Sequence, residues 1–84
     1  MKQWCVYMLK CKDETLYTGS TDDFEKRLAA HRAGKGAKYT RGRGPLEPVY
    51  REVCADRSAA LRREWEIKQL TRGQKLALVE NDKK

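Results

Sequence analysis

The chain has 84 residues, with 19 Lys and Arg against 12 Asp and Glu, for a net charge of +7. That length gives one domain, near the size at which a single core just suffices, and no run approaches the length needed to span a membrane. The positive excess on so small a body attracts polyanions, nucleic acid above all, and leaves the activity open.

Cys5, Cys11 and Cys54 are odd in number and lack metal-ligand spacing. A secreted chain this short depends on paired cysteines, so they read as reduced, buried, small apolar residues of a cytoplasmic protein. Met1-Lys2-Gln3 leads straight into a strand, so no signal peptide is expected.

The first strand is expected over about Gln3–Cys11 and is apolar on both parities, the pattern of a strand covered on both faces by helices. A second runs from about Thr15 to Gly19, and the polar segment between them makes a hairpin. The connector length decides where Tyr7 and Tyr17 point. A connector of Lys12 to Glu14 pairs Cys11 with Thr15 and sets both phenols on one face; Asp13-Glu14 alone would set them on opposite faces. We expect the odd connector or a bulge. Strand tyrosines can be packing residues; two phenols facing one way can also share a site.

Ser20-Thr21-Asp22-Asp23 offers helix-capping oxygens, and Asp22 with Glu25 fits a capping box. A helix is expected from about Asp23 to Ala33, stopped by Gly34. Phe24 and Leu28 define its inward stripe, and Arg27 and His31 fall within the same arc. Two readings stand for that pair. Arg27 snorkels over the core edge and His31 is a satisfied interfacial histidine, or both face a site. Gly34–Gly44 is a basic loop in which Lys35, Lys38, Arg41 and Arg43 surround Tyr39. Cations with an interleaved aromatic suit phosphate contact and base stacking; a solvated surface loop is the plain alternative. The loop is no P-loop, so nucleotide hydrolysis is unsupported.

Pro45 and Pro48 bound the entry to a third strand, about Val49–Val53. A second helix spans about Ser58–Leu70, with an apolar arc of Ile67, Ala60, Leu61 and Trp65 that also holds Glu64 and Lys68. A carboxylate inside such an arc is costly unless paired or metal-bound. Glu64 either forms an ordinary helix pair with Lys68 or ligates a metal at a cleft edge. Thr71-x-x-Gln74 is a further capping box, opening a short helix through Val79. A frayed tail over about 80–84 follows. The fold class is α+β: a small three-stranded antiparallel sheet flanked by helices, in the order β-β-α-β-α-α.

Cys5-Val6-Tyr7 and Tyr17-Thr18-Gly19 resemble the paired strands of the GIY-YIG nuclease superfamily. Ser20-Thr21-Asp22-Asp23-Phe24 with Arg27 and His31 is similar to its first helix. Ala60-Leu61-Arg62-Arg63-Glu64 resembles the helix carrying its metal-binding glutamate. Cys5 stands where the family has Gly, and Thr18 where it has Ile; both are packing positions. The likeness covers nearly the whole chain, as in small stand-alone bacterial members.

The resemblance implies a phosphodiesterase that uses one Mg²⁺ or Mn²⁺ and leaves a 5′-phosphate and a 3′-hydroxyl. Carried over, Glu64 holds the cation and Arg27 stabilises the transition-state charge. Tyr7 orients the attacking water and serves as base directly or by relay, Tyr17 bonds the phosphate or the water, and His31 assists proton transfer. The two helices are expected to cover one sheet face and so bring these groups together. The partner is nucleic acid, DNA ahead of RNA, on branched or single-stranded forms. No targeting domain is expected to fit in 84 residues, so substrate choice is expected to fall to the Gly34–Gly44 loop or to a partner protein. The rival is a non-catalytic nucleic-acid-binding module that keeps the fold.

Overall fold

The computed structural model describes residues 3–82. Three strands, β1 (Cys5–Lys10), β2 (Leu16–Thr21) and β3 (Glu47–Val53), form an antiparallel sheet in the order β2-β1-β3. Three helices, α1 (Phe24–Arg32), α2 (Arg57–Lys68) and α3 (Arg72–Asp82), complete the order β-β-α-β-α-α, the architecture expected from the sequence.

The hairpin takes the odd connector. The Cys11 N–H donates to the Thr15 carbonyl at 2.9 Å and the Glu14 N–H to the Cys11 carbonyl at 3.0 Å, with Glu14 left-handed at φ 69°. Tyr7 therefore pairs with Gly19 and Leu9 with Tyr17. Residues directly opposite share a face, so both phenols lie on one side. β1 pairs on both edges, and its Cys5–Leu9 run is buried throughout. Its even residues, Val6 and Met8, pack with Ala60, Ile67 and Val79 of α2 and α3. Its odd residues, Tyr7 and Leu9, pack with Leu28 of α1 and with Cys11 and Leu46. A strand apolar on both parities needs a cover on each face, so α1 and α2 lie on opposite sides of the sheet. This corrects the expectation that they share one face.

Capping chemistry sets the helix starts. Asp23, one residue beyond the expected Asp22, caps α1 by accepting from the Lys26 N–H at 3.2 Å. Asp56 caps α2 through the Ala59 N–H at 2.8 Å. At α3 the reciprocal box forms: the Thr71 N–H donates to Gln74 Oε1 at 2.9 Å and the Gln74 N–H to Thr71 Oγ1 at 3.2 Å. α3 continues through Asp82, past the expected end at Val79; the rest of the expected tail, residues 83–84, lies outside the described residues. On α2 the buried positions are Ala60 and Ile67. Leu61 and Trp65 point to solvent, Trp65 at 64% exposure, so the inward arc is narrower than the apolar arc of the sequence. The three cysteines are free, and Cys5 and Cys11 are buried. Among the described residues, no helix is long and apolar enough to cross a membrane.

Ile67 is fully buried against β1. Ile67→Ala should cost about 2–5 kcal/mol, read as a lower urea midpoint at unchanged m-value. A loss well under 1 kcal/mol would show that α2 does not wall this face.

Candidate active site at the free edge of the hairpin

The phenol of Tyr7 is almost wholly buried, as is His31. Tyr7 Oη lies 2.8 Å from His31 Nε2, and His31 Nδ1 lies 2.8 Å from Thr40 Oγ1, whose hydroxyl donates to the Ala37 carbonyl at 2.9 Å. With the Thr40 hydrogen on that carbonyl, Nδ1 carries the ring hydrogen and Nε2 accepts the Tyr7 hydroxyl. The opposite tautomer turns the Thr40 hydroxyl toward Nδ1, which the Ala37 N–H also approaches at 3.3 Å. In both forms the ring is neutral and satisfied at each nitrogen.

Other aromatic rings surround this pair. Tyr17 and Phe24 pack on Tyr7 at centroid distances of 6.4 and 5.6 Å, and Tyr17 meets His31 edge-on at 5.2 Å. Gly19 makes the arrangement possible: a Cβ there would lie 2.7 Å from the Tyr7 hydroxyl. Arg27, one turn before His31, brings its guanidinium to both phenols.

Burial pushes the Tyr7 phenol up to about 12 against the opposing pull of Arg27, and the charge of Glu64 adds a smaller upward push. Burial, and then the positive charge of Arg27, hold the His31 imidazole below its ordinary value of 6.5. Both groups are therefore neutral at pH 7. The phenols hold Arg27 more firmly protonated.

Glu64 reaches this edge from the other side of the sheet. Ser20, opposite Val6 and so on the α2 face, donates its hydroxyl to Glu64 Oε1 at 2.5 Å. Lys68 Nζ donates to Oε2 at 2.7 Å, so the expected helix pair is formed, with the Glu64 side chain only 19% exposed. Ser20 follows directly on Gly19, over which the Tyr7 hydroxyl sits. The carboxylate and the phenols thus converge on the same stretch of an edge strand from opposite faces. Among the described residues no group of three His, Cys, Asp or Glu could hold a metal ion. A lone, half-shielded carboxylate with hard oxygen donors suits a Mg²⁺-like cation that keeps most of its waters, and does not suit a four-ligand structural site.

The basic loop lies over His31. Lys35, Lys38 and Arg41 are exposed, and Tyr39, in a single 3-10 turn (Lys38–Thr40), is 42% exposed. Tyr39 stacks with Tyr17 at 5.9 Å. Arg43 lies 4.4 Å over the Tyr39 ring and pairs with Asp13 of the hairpin turn, so its charge is already engaged. The Lys12 N–H donates to the Arg43 carbonyl at 2.8 Å. Sequence reasoning missed three supporting residues. Thr40 holds the far side of His31, and Gly36 passes so close that a Cβ would collide with the imidazole. Ser20, read only as a capping candidate, holds Glu64. Strand alternation from Gly19 carried the signal for Ser20; nothing local carried it for the other two.

The GIY-YIG catalytic domain matches residues 3–77. A UPF0213 protein of Clostridium perfringens is 60% identical over 74 residues, covering 88% of this chain and 80% of its own length. One from Staphylococcus haemolyticus is 52% identical over 80 residues, covering 95% and 98%. The solution structure of the UPF0213 protein from Bacillus halodurans superposes with a TM-score of 0.60 at 46% identity, covering 95% of this chain and 84% of that one. A solution structure from E. faecalis gives 0.67 at 37%, covering 96% and 86%.

Two outcomes test the buried pair. His31 binds its proton less readily folded than unfolded, so its contribution to stability is complete above about pH 6.5 and is lost as pH falls through its depressed folded value. The melting temperature of the parent should therefore drop more between pH 7.5 and 5.0 than that of His31→Gln; equal drops would mean the ring is not buried neutral. Gly36→Ala should cost about 1–3 kcal/mol by overpacking, measured by urea unfolding, whereas the exposed Ala33→Gly should cost less.

Proposed function

The chain belongs to the GIY-YIG catalytic-domain family of the nuclease superfamily, and on that premise we propose that it is a divalent-metal-dependent endonuclease hydrolysing phosphodiester bonds in DNA. The observation that carries the reading is the bond between Tyr7 and His31 inside an otherwise apolar layer, with Arg27 beside it. A buried phenol–imidazole pair adds little that apolar residues of the same volume would not supply to stability. Aimed at a phosphate, the same groups have work to do.

Glu64 would hold Mg²⁺ or Mn²⁺, and that cation, when bound, supplies a polarised water and neutralises charge on the scissile phosphate. Tyr7, with its phenol raised to about 12, is protonated at rest and no standing base. Its oxygen orients the attacking water, and as that water loses a proton to the phenol oxygen, the phenol's own hydrogen passes to His31 Nε2. Resting Arg27 disfavours a charged imidazole; a bound phosphate beside the guanidinium offsets that charge and eases the transfer. Arg27 and the Tyr17 hydroxyl bond the non-bridging oxygens as negative charge grows. The water oxygen bonds to phosphorus, the bond to the 3′-oxygen breaks, and that oxygen takes a proton from solvent. The products are a 5′-phosphate and a 3′-hydroxyl. Lys35, Lys38 and Arg41 supply backbone contacts, while Tyr39, stacked on Tyr17 with Arg43 over its ring, braces the loop instead of offering a free face to a base.

Purified protein with Mg²⁺ or Mn²⁺ should cleave duplex, single-stranded or branched DNA in a gel assay. Arg27→Ala should lower the rate about 10²- to 10³-fold, and Glu64→Gln should abolish metal-dependent cleavage at a retained melting temperature. Cleavage indifferent to Glu64 would identify a contaminant. Salt-sensitive binding without nicking under any metal would leave the non-catalytic module.

A further inference from the structure

Beyond the basic loop, a second cationic surface opens on the same edge of the sheet. A groove between β2, the 3-10 turn and the helices α2 and α3 is lined by Leu16, Tyr17, Thr18, Tyr39, Lys68 and Lys75. Its two lysines come from different helices and converge on one cavity. Lys75 is half-buried and makes no ion pair among the described residues. Thr18 is only 3% exposed, and its Oγ1 is buried with no hydrogen-bond partner. An unpaired hydroxyl in a low-dielectric wall is a standing cost that an acceptor oxygen, direct or through one water, would relieve. Thr18 and Lys75 share an unfilled demand for a negative, oxygen-rich ligand.

We propose that this groove is a phosphate-binding subsite for the nucleic-acid backbone next to the scissile bond, with Lys75 as its resident cation and Lys68 as a second, conditional one. The proposal rests on the nucleic-acid reading above and adds residues of α2 and α3 that the basic loop does not contain. Tyr17 joins the two places, because it contacts Tyr7 on one side and lines the groove on the other. Lys68 is conditional because its ammonium is bound to Glu64 at 2.7 Å and its charge is cancelled there. Once the carboxylate is occupied or neutralised, the half-exposed Lys68 side chain is free to turn to a phosphate oxygen.

The test is the salt dependence of binding to a fluorescein-labelled 20-base-pair DNA duplex, read by anisotropy in EDTA so that no cleavage intervenes. Each phosphate contact contributes about 0.9 to the slope of log Kobs against log [NaCl] on duplex DNA. Lys75→Met should lower the slope by about that amount at a parental melting temperature, and Lys75→Arg should restore it. Lys68→Met should leave the slope nearly unchanged in the parent and lower it by a similar amount in the Glu64→Gln background. A parental slope in Lys75→Met, or no binding by the parent, overturns the subsite whatever the cleavage assay shows. Equal effects of Lys68→Met in both backgrounds overturn its conditional role. A lost slope together with absent cleavage keeps the subsite and removes only the nuclease reading.

Discussion

One hydrogen bond, between a phenol and an imidazole within the α1 layer, sets the terms for its surroundings. Two polar groups placed among apolar neighbours must find each other or forfeit the solvation they left behind. Tyr7 and His31 meet at 2.8 Å, and that distance fixes how α1 sits on the sheet. The rotation that points His31 inward carries Arg27, four residues earlier, to the phenols. The imidazole's other nitrogen needs a partner too, so the loop after α1 bends back to deliver Thr40. Only glycine at 36 lets the chain pass the ring on the way.

The two faces of β1 divide the labour. Val6 and Met8 look toward α2 and α3 and build an apolar wall; Tyr7 and Leu9 look toward α1, where apolar packing and polar chemistry are interleaved. The carboxylate belongs to the first side and the phenols to the second. They come together because β2 is an edge strand only one chain thick, with Gly19 serving one face and Ser20 the other.

Much of this was readable before any coordinates, for physical reasons that can be named. The parity of Tyr7 and Tyr17 follows from the length of the polar connector, since strand alternation allows no drift. The box of Thr71 and Gln74 is local chemistry, complete within four residues. The same local reasoning missed the α1 cap by one residue, because Asp22 and Asp23 offer equivalent oxygens and spacing alone does not choose between them. The apolar arc of α2 was read too wide. Leu61 and Trp65 are apolar yet exposed, and helical periodicity cannot say how broad a stripe the sheet will cover. The placement of α1 and α2 on opposite faces was implied by the two-sided strand, and the idea of a shared site obscured it. Gly36 and Thr40 act only through His31, a long-range packing relation that has no signature in spacing.

The basic loop, finally, is no loose arm. It is pinned to His31 through Thr40, to the hairpin turn through Arg43 and Asp13, and to the Lys12 backbone. Freezing a residue's backbone costs about 1–2 kcal/mol, and here much of that ordering is completed during folding, ahead of any encounter. A floppy cationic tail adapts to whatever polyanion it meets; a tethered one offers its charges at fixed intervals and rewards only backbones whose spacing agrees. On the proposed nucleic-acid reading, the tethers would convert indiscriminate attraction into a ruler.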